Sequence, residues 1–379
     1  MEYKRLSDCA SWGKDRTDNI NYESYISTEN MIKDKGGVTI ASSLPDSKTA
    51  SAYRPNDILL SNIRPYFRKI WYADKNGSCS NDVLVVRANK DIDSKFLYYV
   101  LSDNNFFNYD TVTSKGTKMP RGTQTAIMKY LVPDINIGKQ RKIANILSTY
   151  DNLIENNNKR IRLLEQMAEN LYKEWFVRFR FPGYEDTEFE DGMPRGWVRE
   201  KIGLHYNTCS GGTPSRTHEE YYTEGTIPWV KTGEIKDGII IHTDECITEA
   251  GIKGSSAKLL PQGAVVMAMY GVNIGMLAYL DSEMTCNQAC CVFNDKNEIN
   301  SRHYLFHYLY SIRDYLLLIG FGAAQQNLSQ DLIKKVKIVI PPAELIKEFD
   351  KQKEPLYQTI RALMMQNDKL IKQRDALLP

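Results

Sequence analysis

The sequence predicts an α+β chain in which one plan is used twice: two similar mixed α/β domains separated by two long helices pairing as an antiparallel coiled coil, a pseudo-two-fold internal repeat. Three observations predict it. Two heptad-like segments, "ILSTYDNLIENNNKRIRLLEQ" (146–166) and "LYQTIRALMMQNDKLIKQRDA" (356–376), stand in the middle and at the tail of the chain. The same series of landmarks precedes each of them, in the same order. The length, 379 residues, is too great for one typical core and suits two domains with extra elements.

The repeat is justified residue by residue. Thr149 matches Thr359, Leu153 matches Leu363, Asn157 matches Asn367, Lys159 matches Lys369 and Ile161 matches Ile371, at an offset of roughly 210 residues, far longer than any solenoid period. Upstream, "YRPNDILLSNI" (53–63) parallels "LLPQGAVVMAM" (259–269), a proline and a polar turn entering an apolar strand. "CSNDVLVVR" (79–87) parallels "TCNQACCVF" (285–293), again a turn followed by a strand. "FLYYVLSD" (96–103) parallels "YLFHYLYS" (304–311), both aromatic-rich helices, and "KYLVPDI" (129–135) parallels "VKIVIPP" (336–342), a short strand ended by proline. The boundaries that follow are 1–137 for the first domain, 138–182 for the central helical region, 183–342 for the second domain and 343–379 for the C-terminal helical region.

Within the first long helix, apolar residues fall at Ile143, Leu147, Tyr150, Ile154, Ile161, Leu164, Ala168, Leu171 and Trp175, in steps of three and four with Asn157 filling one gap. The second runs Phe349, Leu356, Ile360, Leu363, Asn367, Leu370, Arg374 and Leu377. A polar residue at one seam position costs stability but fixes register, so Asn157 and Asn367 are the candidate register residues. Pro355 lacks the N–H that a continuing helix uses, and a kink or a helix start is expected there. About 38 residues of helix would span roughly 57 Å at 1.5 Å per residue, enough to act as a ruler between two globules.

Several function classes are excluded or disfavoured. The composition, 42% hydrophobic and 25% charged with mean hydropathy −0.45, is that of a globular chain. The N-terminus lacks an apolar leader and no run approaches a membrane span, so an intracellular, cytoplasmic protein is expected. Cys9, Cys79, Cys209, Cys246, Cys286, Cys290 and Cys291 have neither disulfide-framework nor zinc-knuckle spacing. No phosphate loop, dinucleotide fingerprint, HExxH or GxSxG is present. "GFGAAQQN" (320–327) and "GVNIG" (271–275) read as turns, and the pair His303 and His307 lacks the acidic neighbours of a metal site. No catalytic and no metal-binding residue is therefore assigned.

Positive charge gathers instead in loops beside aromatics and glycines. "NIRPYFRKIWY" offers Arg64, Arg68 and Lys69, and "SKGTKMPRGTQ" offers Lys115, Lys118 and Arg121. In the second half, "GGTPSR" offers Thr213 and Arg216, "PWVKTGEIK" offers Lys231, and "GAAQQNLSQ" offers Gln325, Gln326 and Asn327. Arg and Lys suit phosphates and guanine edges, while Gln and Asn suit adenine. The net charge is only +2, so any nucleic-acid contact must rely on local charge or on a partner's.

With these pieces together, nearly the whole chain resembles the specificity (S) subunit of type I restriction-modification systems. The resemblance is carried by "GGTPSR" followed by "IPWVKTGEI", by "SSAKLLPQGAVVMAMYGVNIG", "TCNQACC", "AAQQNLSQDLIKKVKIVIPP" and the helix "GKQRKIANILSTYDNLI". The first half shows "CASWGKDR" where the second has "GGTPS". The resemblance implies two target recognition domains, each reading one half of a split, asymmetric double-stranded DNA sequence, and helical regions that set the spacer and dock two modification (methyltransferase) subunits. It implies restriction subunits reached through the complex, and S-adenosylmethionine, ATP and Mg held by those partners, with no cofactor on this chain. From the residues alone, a duplicated coiled-coil interaction scaffold without DNA specificity is the alternative; a self-sufficient nuclease or methyltransferase comes third, for want of an acidic metal cluster or a methyl-donor loop.

Overall fold

In the computed structural model, which describes residues 2–295, 301–320 and 327–379, the run "ILLS" is the strand Ile58–Ser61, buried at all four positions. Successive side chains of a strand point to opposite faces, so an unbroken apolar run is what a strand between two cores requires. Ile58 and Leu60 enter one core with Leu84 and Val86, and Leu59 enters the opposite core with Val83 and Val85. The sheet is antiparallel throughout, in the order Ala10–Trp12, Val83–Ala88, Ile58–Ser61, Ile70–Tyr72. A second sheet, Arg16–Thr17, Ala50–Tyr53, Gly77–Cys79, Tyr25–Ile26, supplies Tyr53, Cys79 and Ile26 to the core of Leu59. On the other side lies helix α1 (Ser94–Ser102), started by Asp93, whose carboxylate accepts from the backbone N–H of Lys95 at 3.1 Å and of Phe96 at 2.9 Å. Its Phe96, Leu97, Val100 and Leu101 pack with Ala144 and Leu147 of the long helix α2 (Ile137–Tyr172).

The chain divides into two units, Met1–Glu155 with Asp368–Pro379, and Asn156–Asn367. In the second, a five-stranded sheet runs Tyr206–Cys209, Cys290–Asp295, Val265–Ala268, Leu277–Leu280, Gly238–Ile240, and a three-stranded one runs Cys246–Ile247, Ile227–Val230, Thr285–Cys286. Helix α3 (Arg302–Ser311) is capped by Ser301, whose hydroxyl accepts from the Tyr304 N–H at 2.9 Å. Tyr304, Leu305, Phe306 and Leu309 bury against the sheet residues Val265, Met267, Leu277 and Tyr279 and against Phe349 of helix α4 (Ala343–Ala376).

The same pairings recur in both units. Val83–Ala88 lies between Ala10–Trp12 and Ile58–Ser61, as Cys290–Asp295 lies between Tyr206–Cys209 and Val265–Ala268. Ile58–Ser61 is followed by antiparallel Ile70–Tyr72, as Val265–Ala268 is by Leu277–Leu280. Each unit also has a short parallel contact, Tyr25–Ile26 with Gly77–Cys79 and Trp229–Val230 with Thr285–Cys286, and the second unit adds another, Gly238–Ile240 with Leu277–Leu280. Each closes with an early strand against its last, Tyr3–Arg5 with Leu131–Pro133 and Val198–Lys201 with Lys337–Ile340. The fold is thus a twice-used α/β plan with two long helices, as the repeat predicts.

Within the second unit the helices run antiparallel: Asn157 of α2 meets Asn367 of α4, and Tyr172 stands 6.4 Å from Phe349, ring to ring. Asn157 Nδ2 donates to Asn367 Oδ1 at 2.9 Å and to Gln366 Oε1 at 3.1 Å, and Asn367 Nδ2 donates to Asn158 Oδ1 at 2.8 Å. In the first unit Arg374 Nη1 donates to Asp151 at 2.8 Å, and the same carboxylate accepts from the hydroxyl of Tyr99 on α1 at 2.6 Å. The second seam departs from the expected one. Helix α4 passes through Pro355 without starting there, Tyr357 rather than Leu356 is buried, Lys353 joins the seam, and Leu377 is 51% exposed. A straight helix drifts from a seven-residue repeat, which carries the buried stripe one position along at that end. Among the described residues no helix is long and apolar enough to cross a membrane.

Candidate nucleic-acid interface

In the first unit two separately predicted basic loops are tied into one structure. The chain leaves the strand Ile58–Ser61 at Asn62, whose carbonyl accepts from the Gly122 N–H at 3.0 Å; Arg64 N–H donates to Pro120 O at 2.8 Å, and Lys115 and Arg121 exchange backbone bonds at 2.9 and 2.8 Å. All six basic residues singled out here, Arg64, Arg68, Lys69, Lys115, Lys118 and Arg121, belong to these two joined loops.

Their states differ. Arg64 and Arg68 flank the turn Pro65–Phe67 and both adopt a left-handed backbone with φ of 51°, a conformation that costs a non-glycine residue on the order of 1–3 kcal/mol and that clusters at functional sites. Both Arg64 and Lys69 lie over the Phe67 ring, at 5.9 and 5.7 Å from its centroid. Arg68 is held by Asp34, and Arg121 by Asp82 at 3.1 Å. Lys69 donates to the Thr28 carbonyl at 2.6 Å, and its burial lowers its pKa. Lys115 and Lys118 are exposed, Lys115 at the bridge to Arg121 and Lys118 in the bend between them.

In the second unit the site is built around glycines and one carboxylate. Gly211 and Gly212 press against the strand Thr285–Cys286: Gly212 N–H donates to Cys286 O at 2.9 Å, and a Cβ on Gly211 would fall 1.8 Å from that oxygen. Only glycine permits this approach. The Gly212 carbonyl accepts from the buried Trp229 Nε1 at 3.0 Å, fixing the loop that carries Thr213 and Arg216. Thr213 donates to Gln288. Arg216 lies 4.1 Å from the Tyr222 ring centroid and 5.5 Å from that of Trp229, and Lys231 lies 5.9 Å from Trp229. Both cations donate to Glu245, Arg216 at 2.6 Å and Lys231 at 2.7 Å. Those two hydrogen bonds, Lys231's first, hold the Glu245 carboxyl below its usual range. The carboxylate orients two cations that would otherwise sweep freely.

Asn327 is exposed, while Gln325 and Gln326 lie outside the described residues. Leu328 N–H donates to Met269 O at 3.0 Å, so this loop is tied to the end of the strand Val265–Ala268. The turn 271–275 needs positive φ at Gly271 (82°) and Gly275 (78°), and Asn273 Nδ2 fastens it to the Ile235 carbonyl at 2.9 Å. Glu245, Trp229, Tyr222, Asp34 and Asp82 escaped the sequence reading. The three carboxylates lie 14 to 39 residues from the cations they hold, and no local spacing rule joins them.

The comparisons with known proteins agree on one family. The family model described as the type I restriction modification DNA specificity domain matches residues 9–166 and again 201–363. The chain is similar to the type I restriction enzyme MjaIX specificity subunit of Methanocaldococcus jannaschii, 28% identical over 76% of this chain and 67% of that one. It is also similar to the HindI specificity subunit of Haemophilus influenzae, 22% identical over 94% and 92%. Among solved structures, the type I restriction-modification S subunit from M. genitalium superposes with a TM-score of 0.55 at 15% identity, covering 100% of this chain and 96% of that one, a likeness of fold.

Proposed function

This chain belongs to the type I restriction-modification DNA specificity family, and on that premise we propose that it reads an asymmetric, two-part DNA target for partner subunits that carry out the chemistry. Each domain reads one block, with phosphate contacts for register and base-edge contacts for sequence. The long helices set the unspecified spacer between the blocks and dock two modification subunits, through which restriction subunits are reached. S-adenosylmethionine, ATP and Mg belong to those partners. The net charge of +2 suits a subunit whose partners share the neutralisation of phosphates.

The observation that carries this reading is a matched loop closure. In both repeats the chain leaving the central strand, at Asn62 and at Met269, accepts one backbone hydrogen bond from a later loop, from Gly122 and from Leu328, each at 3.0 Å. Each copy also gathers cations over aromatic rings, Arg64 and Lys69 over Phe67 in the loop beside its closure and Arg216 and Lys231 over Tyr222 and Trp229 on the loops held by Glu245. A duplicated scaffold for protein binding alone gives no reason for both copies to gather ring-backed cations.

DNA selection on the chain together with its modification subunit, at two salt concentrations, tests the reading. Two short specified blocks around a fixed gap are expected; a flat profile, or binding indifferent to salt, would transfer the chain to the scaffold class. In the Lys115→Ala/Lys118→Ala double variant, affinity is expected to fall evenly across sequences. The slope of log K against log salt should become shallower by about 1.8, roughly 0.9 for each lost phosphate contact, and an unchanged slope would remove both lysines from the interface. Replacing Asn157 and Asn367 together by leucine is expected to alter spacer length or partner docking while leaving both blocks intact, since the pair sets register at some expense in stability. Unchanged spacer and docking would show that the asparagines carry no such role.

A further inference from the structure

Inside the second unit, a cleft of about 480 Å³ opens where α2 and α4 meet the sheet and helix α3. That volume lies in the range of small-molecule sites. Its charges do not balance. Of the carboxylates in its lining, Asp237 is already taken by Arg313, Nη1 to Oδ2 at 2.9 Å, and Glu169 by Lys173 at 2.5 Å. That leaves Glu165 facing three cations, Arg162, Lys236 and Lys353, for which no hydrogen bond or ion pair within 4.0 Å is formed by the side chain among the described residues.

Lys353 is the unusual member. It is 4% exposed, on the inner face of α4, and burial pushes its ammonium down to about 8, with Glu165 and Glu354 acting against that shift. Buried ammonium groups are normally matched by an anion. Beside it His307 is 6% exposed, and its Nε2 has no hydrogen-bond partner. The same lining carries an aromatic wall: Tyr279 and Phe306 stack at 4.4 Å, and Tyr357 meets Tyr279 edge-on at 5.1 Å.

We propose that this cleft binds a small anion carrying a flat ring, of the nucleoside monophosphate class. Its phosphate would sit among Lys353, Arg162 and Lys236, and its ring against the aromatic wall. Lys and Arg supply the donors that phosphate oxygens take, and aromatic faces accept a base without regard to its edge. Because the lining comes from both helices and from the domain, an occupant would brace the second domain on its helical seat.

The test is isothermal titration of the intact chain with AMP, with ribose 5-phosphate and adenosine as the two half-ligands. Saturable binding of AMP is expected, at least tenfold tighter than either half. Lys353→Met, which removes a buried charge and keeps the stem, and Arg162→Ala, on the exposed side of α2, are each expected to weaken AMP binding tenfold or more. The Lys115→Ala/Lys118→Ala variant is expected to bind AMP as the parent does. No saturable binding of AMP up to millimolar concentration overturns the proposal. So does binding that survives both cleft variants, or binding lost with the loop lysines, which would place the nucleotide on the candidate DNA loops. Ribose 5-phosphate binding as tightly as AMP overturns the role of the ring.

Discussion

A Trp229→Ala chain is expected to select DNA with the second-domain block degenerate and the first-domain block intact. Trp229 is 3% exposed and packs with Ile247 and Ala257. Its indole holds the Gly212 carbonyl, and its face lies under Arg216 and Lys231. Truncation removes a large buried ring, about 3–5 kcal/mol, together with the hydrogen bond that pins the "GGTPSR" loop. Trp229→Phe separates the two: it keeps most of the ring and leaves the Gly212 carbonyl without its donor, a loss of about 1–3 kcal/mol. Urea unfolding and DNA selection on both variants check this. If Trp229→Ala destabilises the chain yet selects the same two blocks, the loop plays no part in reading.

In the first domain the largest expected effect comes from Asp57→Ala. Asp57 is 1% exposed and binds Arg87 through both oxygens, Nε to Oδ1 at 2.8 Å and Nη2 to Oδ2 at 2.7 Å, while Oδ2 also accepts from the Arg54 N–H at 3.0 Å. Hydrogen bonding to Asp57, ahead of that to Asp15, holds the guanidinium firmly charged. Removing the carboxylate leaves that charge only Asp15, 2.6 Å away and itself largely exposed. A loss of about 3 kcal/mol is expected, since breaking a buried pair from one side strands its partner. The double variant Asp57→Ala/Arg87→Met is expected to recover most of it, because the stranded charge goes too. Equal destabilisation of single and double variants would assign the loss to packing instead.

Much of this architecture could be read in advance because its signals are local. "ILLSNI" and "VVMAM" each carry an apolar run after a proline-containing turn, and each became the central strand of its sheet. The asparagines at matched heptad positions met each other because the helices pair face to face. What resisted reading depends on distance along the chain. Glu245 is one acid in "HTDECI", and nothing nearby announces that it will grip Arg216 and Lys231. Lys353 sits in the run "DKQKEP", whose composition suggests solvent. Its burial follows from where α4 packs, which periodicity near Pro355 does not resolve. The cleft it lines joins stretches of chain as far apart as Arg162 and Tyr357.

One modest feature of the fold bears on how such a protein changes over generations. In each half an early strand is zipped to the last, Tyr3–Arg5 to Leu131–Pro133 and Val198–Lys201 to Lys337–Ile340. A stretch of polypeptide whose two ends are stitched together at one neck is a cassette: it can be lifted out and another inserted while the flanking backbone keeps its course. Gene exchange at those necks would then deliver a complete reading head in one event. Point substitution, by contrast, must alter loops whose cations, rings and carboxylates depend on one another. If the halves read DNA as proposed, a lineage carrying this chain would acquire a new target by exchanging halves more readily than by gradual drift.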